Sequence, residues 1–249
     1  MMQLTIIRIE DYGPWTLTLG SDREAELQKL QAKIYYDVQR LFSDRGCLVF
    51  FNRFDEYFAV TNGISASNHK SVLKELSLLH PDLKMSMAIA TGATALEANT
   101  KAYEARKRGK LADSDARIFG GTGRTDWVHM MHIDVDSSAK VSAKLSPYEI
   151  TALLIKLYSK LADEFLRMKS LTFFLGGDNF MVLSNGVNKY QADEVMKKIT
   201  AGTDIRLNCG IGIGKTGRKA AEAATKALDT IRKLRDEGKT QSILELRCP

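Results

Sequence analysis

One hairpin occurs twice in this chain. Residues 48–63 and 171–186 align without a gap at an offset of 123 positions, and six of the sixteen residues are identical. The identities include Asp55/Asp178 and the Asn62-Gly63/Asn185-Gly186 exits. In each copy two β-rich runs flank a turn carrying an acidic residue, and the second copy has Gly176-Gly177-Asp178-Asn179 at its bend. A period this long excludes a solenoid and predicts two related domains. At 249 residues there is room for two cores of ordinary size.

The elements around the hairpins repeat as well. The first half reads strand 3–10, helix about 22–44, hairpin 47–61, helix 66–79, strand 84–91, helix 93–108. The second reads strand 128–135, helix 147–168, hairpin 170–184, helix 189–201, strand 204–213, helix 217–236 and strand 242–247. Gly13 and Pro14 break the first strand. Ser21-Asp-Arg-Glu24 has the form of a capping box, followed by Leu27, Leu30, Ile34, Val38 and Leu41 at helical spacing. Ser146-Pro147 with Glu149 is a second such start, with proline at the first helical position. The order β-α-β-β-α-β in each half predicts two tandem ferredoxin-like α/β domains with antiparallel sheets. Their strand order is 4-1-3-2, with the first strand central. The domains span 1–108 and 128–249. Residues 109–127 between them, with four glycines and few large apolar side chains, read as a linker or a mobile loop.

Composition narrows the function classes. The chain is 44% apolar and 27% charged, and no apolar run reaches the ~18 residues of a membrane span. It opens directly on a strand-like run, so no signal peptide is expected. Cys47, Cys209 and Cys248 are odd in number and scattered, as in a protein of the reducing cytoplasm. The net charge of +6 sits largely in mixed-charge helical runs, with no basic-aromatic stripe. Nucleic acid is therefore not the expected partner, and an anionic ligand remains compatible.

The carboxylates are the chemically informative residues. Asp134 and Asp136 lie two apart on the central strand of the second half and share a face. The turn carrying Asp178 comes down beside that strand end. Carboxylates gathered there call for a cation, and Mg²⁺ is typically held by one or two of them plus water and substrate phosphates. The plainer alternative is that Asp134 and Asp136 mark a strand end and a turn start. The first half offers Glu10, Asp11 and Asp55, with Arg53 and Phe54 in place of the paired glycines.

The Asp-Val-Asp and Gly-Gly-Asp-Asn-Phe runs resemble the palm-type catalytic domain of nucleotidyl cyclases, diguanylate cyclases and polymerases. Diguanylate cyclases carry glutamate where Asn179 stands. The fuller resemblance is to the GTP cyclohydrolase III family. It rests on the opening run 2–15, on 49–55 and 59–63, on 174–181, and on the run from Gly210 to Thr216. It covers most of the chain outside 109–127. It implies Mg²⁺-dependent hydrolysis of GTP to a formylamino-pyrimidine ribosyl monophosphate. The guanine imidazole ring opens with the formyl group retained, and the β and γ phosphates leave as inorganic phosphate. The family role is an early step toward riboflavin-type and deazaflavin cofactors. By motif position Asp134, Asp136 and Asp178 are the metal-binding carboxylates, with the Val135 carbonyl as a further ligand. Gly176, Gly177 and Asn179 are carried over as nucleotide contacts. Glu10 departs from the aspartate usual in the family's opening signature. Palm-type relatives build sites between protomers, so a homo-oligomer is expected by analogy.

Weaker signals remain. Gly210-Ile-Gly-Ile-Gly-Lys-Thr216 lacks the P-loop spacing and reads as a strand whose glycines admit either a neighbouring backbone or a ligand. Lys215 either meets a phosphate or faces solvent. Arg232 and Arg235 share a helix face; the resemblance to diguanylate cyclases implies that they meet the triphosphate, and the alternative is that they complement the helix dipole. His129 and His132 face opposite sides of a strand and lack a cysteine pair, which argues against zinc. His132, on the face of Asp134, is a candidate for proton transfer. The competing functions are a nucleotidyl cyclase and a non-catalytic guanine-nucleotide sensor.

Overall fold

The structure, a computed structural model, describes residues 1–113, 117–136 and 145–248. It divides into two units. One comprises 1–92 and 97–126, the other 93–96 and 127–249.

The first unit contains β1 (Met2–Ile9), α1 (Tyr12–Leu17), α2 (Glu24–Ser43), β2 (Leu48–Arg53), β3 (Glu56–Val60), α3 (Ala66–Leu79) and β4 (Met85–Gly92). Helix α4 (Ala95–Lys107), β5 (Leu111–Asp113) and β6 (Ile118–Gly120) follow. The sheet order is β2-β3-β1-β4-β6-β5, so the expected 4-1-3-2 arrangement is present and extended at one edge. The second unit contains β7 (Val128–Val135), α5 (Pro147–Arg167), β8 (Leu171–Gly176), β9 (Asn179–Leu183), α6 (Lys189–Thr200), β10 (Leu207–Gly214), α7 (Gly217–Asp236) and β11 (Ile243–Arg247). Its order is β11-β10-β7-β9-β8, the same arrangement with β11 added parallel to β10.

Each core follows from strand alternation. In the second unit Met131, Ile133 and Val135 meet Leu157, Leu161 and Phe165 of α5 and Val195 and Ile199 of α6. In the first, Ile7, Ile9, Met87 and Ile89 meet Ile34 and Val38 of α2 and Val72 and Leu76 of α3. The hairpin repeat extends to its irregularities, since β2 and β8 shift register at Phe51/Arg53 and at Phe174/Gly176. The Asn-Gly exits also do one job twice. Asn62 accepts from the Gln3 N–H at 2.7 Å and Asn185 from the His129 N–H at 3.1 Å, pinning the start of each central strand.

Strand β1 ends at Ile9, ahead of Gly13 and Pro14, and residues 12–17 add a helical turn not expected from the sequence; Pro14 fits in its first turn, where its missing N–H costs nothing. Two expectations need correction. No capping box forms at Ser21, since α2 begins at Glu24 with Arg23 as its cap. Residues 109–127 are not a bare linker. Strand β6 pairs in parallel with β4 and β5 pairs with β6, which satisfies an otherwise open edge. Positions 114–116 of that stretch lie outside the described residues. The three cysteines are unpaired, with Cys47 and Cys209 buried.

His69 gives the first unit a testable pH dependence. Its Nδ1–H donates to the Ser65 carbonyl at 2.7 Å, and its Nε2 meets the Thr5 hydroxyl at 2.8 Å. Burial lowers its pKa to about 4, against the opposing bond to Ser65. An unfolded histidine titrates near 6.5, so between these values the unfolded chain binds the extra proton. Stability is fully present above about pH 6.5 and falls toward pH 4, by about 3 kcal/mol from this group. Denaturant melts at pH 7 and pH 4.5 should show a flatter pH dependence for His69→Gln than for the wild type. Parallel profiles would exclude His69 as the source.

Candidate active site

Strand β7 sends His132 and Asp134 to the face covered by α7, opposite the helical core. The glycines of β10 seat that helix. A Cβ at Gly210 would collide with the Ala224 carbonyl, at Gly212 with the Ala220 carbonyl, and at Gly214 with the Ala220 backbone nitrogen. The glycine run is thus a helix seat, and the alternative of a ligand approaching there is set aside.

Asp134 is 4% exposed. Arg232 of α7 clamps its Oδ2 with Nη2 at 2.7 Å and Nε at 3.2 Å. Its Oδ1 is buried and has no hydrogen-bond partner among the described residues. Asp136 just beyond β7 receives Arg235 Nη1 at 2.7 Å and Asn208 Nδ2 at 3.4 Å on one oxygen. Burial pushes the Asp136 carboxyl up, but the bonds from Arg235 and Asn208 outweigh it and hold the pKa below the ordinary value.

Strand β9 places Asn179 opposite Asp134. The turn leading to it has Gly176 at φ 100° and Gly177 at φ 58°, a left-handed path that glycine takes without strain. Neither glycine is there for lack of space, since an added Cβ meets nothing closer than 3.8 Å. Asn179 Nδ2 donates to Asp178 Oδ1 at 2.9 Å, which orients the amide. Its Oδ1 then accepts from His132 Nε2 at 3.0 Å, leaving Nδ1 to accept from the Thr225 hydroxyl at 3.1 Å. Burial lowers the His132 pKa against the raising effects of Asn179 and Asp134. A neutral imidazole with both nitrogens engaged is poorly placed for proton transfer. His132 positions Asn179, and through it the Asp178 turn.

Backbone directions matter too. The Asp136 N–H donates to the Arg206 carbonyl, beside β10. Peptide groups of successive residues point to opposite sides of a strand, so the Val135 carbonyl points toward the β9 side. There the ladder has already ended, at the Asp134–Asn179 pair.

The three carboxylates do not converge as expected. No group of three His, Cys, Asp or Glu side chains among the described residues is arranged to hold a metal. Each carboxylate is drawn to its own partner, Asp134 to Arg232, Asp136 to Arg235 and Asp178 to Asn179. The donor set nevertheless suits a hard cation. It consists of oxygens, and the buried, unpartnered Oδ1 of Asp134 is the kind of atom that calls for an ion. Lys215 lies apart from this group. Antiparallel pairing sets its neighbour Gly214 against Val128, six residues and roughly 20 Å from Asp134. Its ammonium instead lies 5.6 Å from the Trp127 ring centroid, which Arg247 also approaches, at 5.0 Å.

The sequence model of GTP cyclohydrolase III matches residues 1–243. The chain belongs to the GTP cyclohydrolase III family. A GTP cyclohydrolase III of Methanococcus maripaludis is 35% identical over 248 residues, covering 97% of this chain and 91% of that one. Those of Methanosphaera stadtmanae and Methanocaldococcus jannaschii are 33% and 34% identical, each over 93% of this chain and over 93% and 88% of their own.

In this member of the GTP cyclohydrolase III family the two units differ in charge at equivalent places. Asp134 pairs with Asn179 and Asn208, and Arg8 occupies the same position in the first sheet, opposite Glu56 and Ser86. Glu10 then corresponds to Asp136. It accepts from the Ser86 hydroxyl and from Arg106 Nη2 at 2.6 Å, as Asp136 accepts from Asn208 and Arg235. A cation where the other unit has its buried carboxylate opposes divalent-metal binding. The sequence signal for this was Arg8 itself, two residues before Glu10. Glu10→Gln should therefore leave Mn²⁺ binding unchanged while costing about 1–3 kcal/mol of stability. Mn²⁺ titration by electron paramagnetic resonance, with a denaturant melt, checks both. Lost Mn²⁺ binding would place a metal in the first unit.

Proposed function

We propose that this chain hydrolyses GTP with Mg²⁺ at the end of β7 in the second unit. The reaction opens the imidazole ring of guanine with the formyl group retained, and releases the β and γ phosphates as inorganic phosphate. The observation carrying this reading is the family match across residues 1–243. Asp134 through Oδ1, Asp136, Asp178 and the Val135 carbonyl are the groups that would hold the metal. Bound Mg²⁺ supplies charge neutralisation for the triphosphate and a water of lowered pKa.

The chain's own residues divide the remaining work. Arg232 and Arg235 offer guanidinium groups to phosphate oxygens, a match of planar donors to tetrahedral acceptors. Gly176 and Gly177 leave open space over the turn beside Asp178. His132 and Thr225 keep Asn179, and with it the hairpin, in register. Lys215 takes no part. None of the described helices is long and apolar enough to cross a membrane.

The test is turnover of GTP by purified protein with Mg²⁺ or with EDTA, read by mass spectrometry and phosphorus NMR. The expected product has the mass of GMP plus one water, accompanied by orthophosphate, and disappears with EDTA. A cyclic nucleotide with intact pyrophosphate would instead make the chain a cyclase. Tight GTP binding without any product would make it a sensor.

A further inference from the structure

Both acidic residues at the end of β7 are already neutralised by the chain itself. Arg232 holds Asp134 through two nitrogens, and Arg235 holds Asp136 at 2.7 Å. On Asp134 the guanidinium sits on Oδ2 and leaves Oδ1 to a cation, so a divalent ion and these guanidinium groups compete for the charge of the same carboxylates, and crowding all of them together is repulsive. Yet neither arginine is locked in place. Their side chains are 39% and 43% exposed. Each also touches a second carboxylate on α7, Asp229 at 3.0 Å for Arg232 and Asp236 at 3.5 Å for Arg235. Those contacts keep both side chains at the site when they leave β7.

We propose that Arg232 and Arg235 are exchangeable counter-ions, which leave Asp134 and Asp136 for the triphosphate of an incoming nucleotide and so free the carboxylates for the divalent cation. This rests on the assignment of the metal site to the end of β7. Asp134 is buried and needs a positive partner at every stage, since an uncompensated charge there is strongly disfavoured. Arg232 is that partner before nucleotide arrives, and the metal takes its place afterwards. Metal and triphosphate therefore bind as a linked pair, each favouring the other by the same factor. Neither ligand alone obtains both halves of the exchange.

Mn²⁺ binding, followed by electron paramagnetic resonance with and without an imido analogue of GTP, reads the exchange directly. The wild type is expected to bind Mn²⁺ weakly alone and about 10-fold or more tighter with the analogue, within the usual range of coupling between sites. The Arg232→Gln/Arg235→Gln chain should bind Mn²⁺ alone about 10-fold better than wild type and lose the enhancement. Should the double variant fail to fold, Arg235→Gln alone should show both changes in the same direction, at smaller size. Mn²⁺ affinity unchanged or lowered in these variants, with the enhancement intact, would overturn the exchange. Asp134→Asn separates this from the site assignment. If it leaves Mn²⁺ binding intact in the presence of the analogue, the metal is not at the end of β7, whatever the arginines do.

Discussion

Asp134→Asn is expected to lower GTP turnover at least about 100-fold while leaving a folded protein. Asp134 is the buried carboxylate at the end of β7, and its Oδ1 is the oxygen with no partner among the described residues. Asparagine keeps the volume and removes the charge, so the loss is electrostatic. Removing one preorganised charged or polar group from a reacting centre commonly costs on the order of 100- to 1,000-fold. The structural cost is smaller, because Arg232 is 39% exposed and still holds Asp229. Exposure of that kind limits the stability loss to about 1–3 kcal/mol. Asp136→Asn should be milder, about 10-fold, since Asp136 is only half-buried and keeps its backbone bond to Arg206. Initial rates at saturating Mg²⁺, with a denaturant melt of each variant, check the order. Turnover of Asp134→Asn within a few-fold of wild type would remove catalysis from this strand end.

Much of this arrangement is legible in the chain. The gapless hairpin repeat implies the tandem fold, and the split β-α-β arrangement makes β1 and β7 central, which brings Asp134 beside the turn of Asp178. What escapes is whatever depends on partners far away in sequence. Arg232 and Asp134 stand 98 positions apart, and Arg235 and Asp136 stand 99 apart. Helical spacing shows that the two arginines share a face, not what that face meets. The role of His132 was hidden for the same reason, because its partners come from β9 and α7. Strands β5 and β6 are three residues each and have no readable period, so only the free edge of β4 makes them strands. Helix α1 escapes for a local reason, because its 6 residues hold a glycine and a proline and are too few to show a helical period, although proline is tolerated in a first helical turn.

Gly212→Ala should cost about 3 kcal/mol or more, and the surviving folded fraction should lose most of its activity. A Cβ at this position would collide with the Ala220 carbonyl and the Ala224 backbone nitrogen, and would lie 2.9 Å from the Ala224 Cα. These are backbone atoms inside a 20-residue helix, so no side-chain rotation relieves the clash. The remaining response is to move α7 off the sheet. That uncovers Ala220, Ala224, Leu228 and Ile231, all at most 1% exposed. Overpacking of a tight core typically costs 1–3 kcal/mol, and a backbone clash belongs at or beyond the upper end. The same movement draws Thr225, Arg232 and Arg235 away from β7, which couples stability to the site. Gly13→Ala is the contrast, since outside its chain neighbours the added Cβ meets nothing within 4 Å. The helical gain from alanine in α1 is opposed by crowding against the ring of Pro14, so the change should stay within about 1 kcal/mol of the wild type. Thermal melts of both variants, with GTP turnover at a temperature where each is folded, decide the matter. If Gly212→Ala matched Gly13→Ala in both measurements, the seating of α7 on the β10 glycines would not be what aims the two arginines at β7.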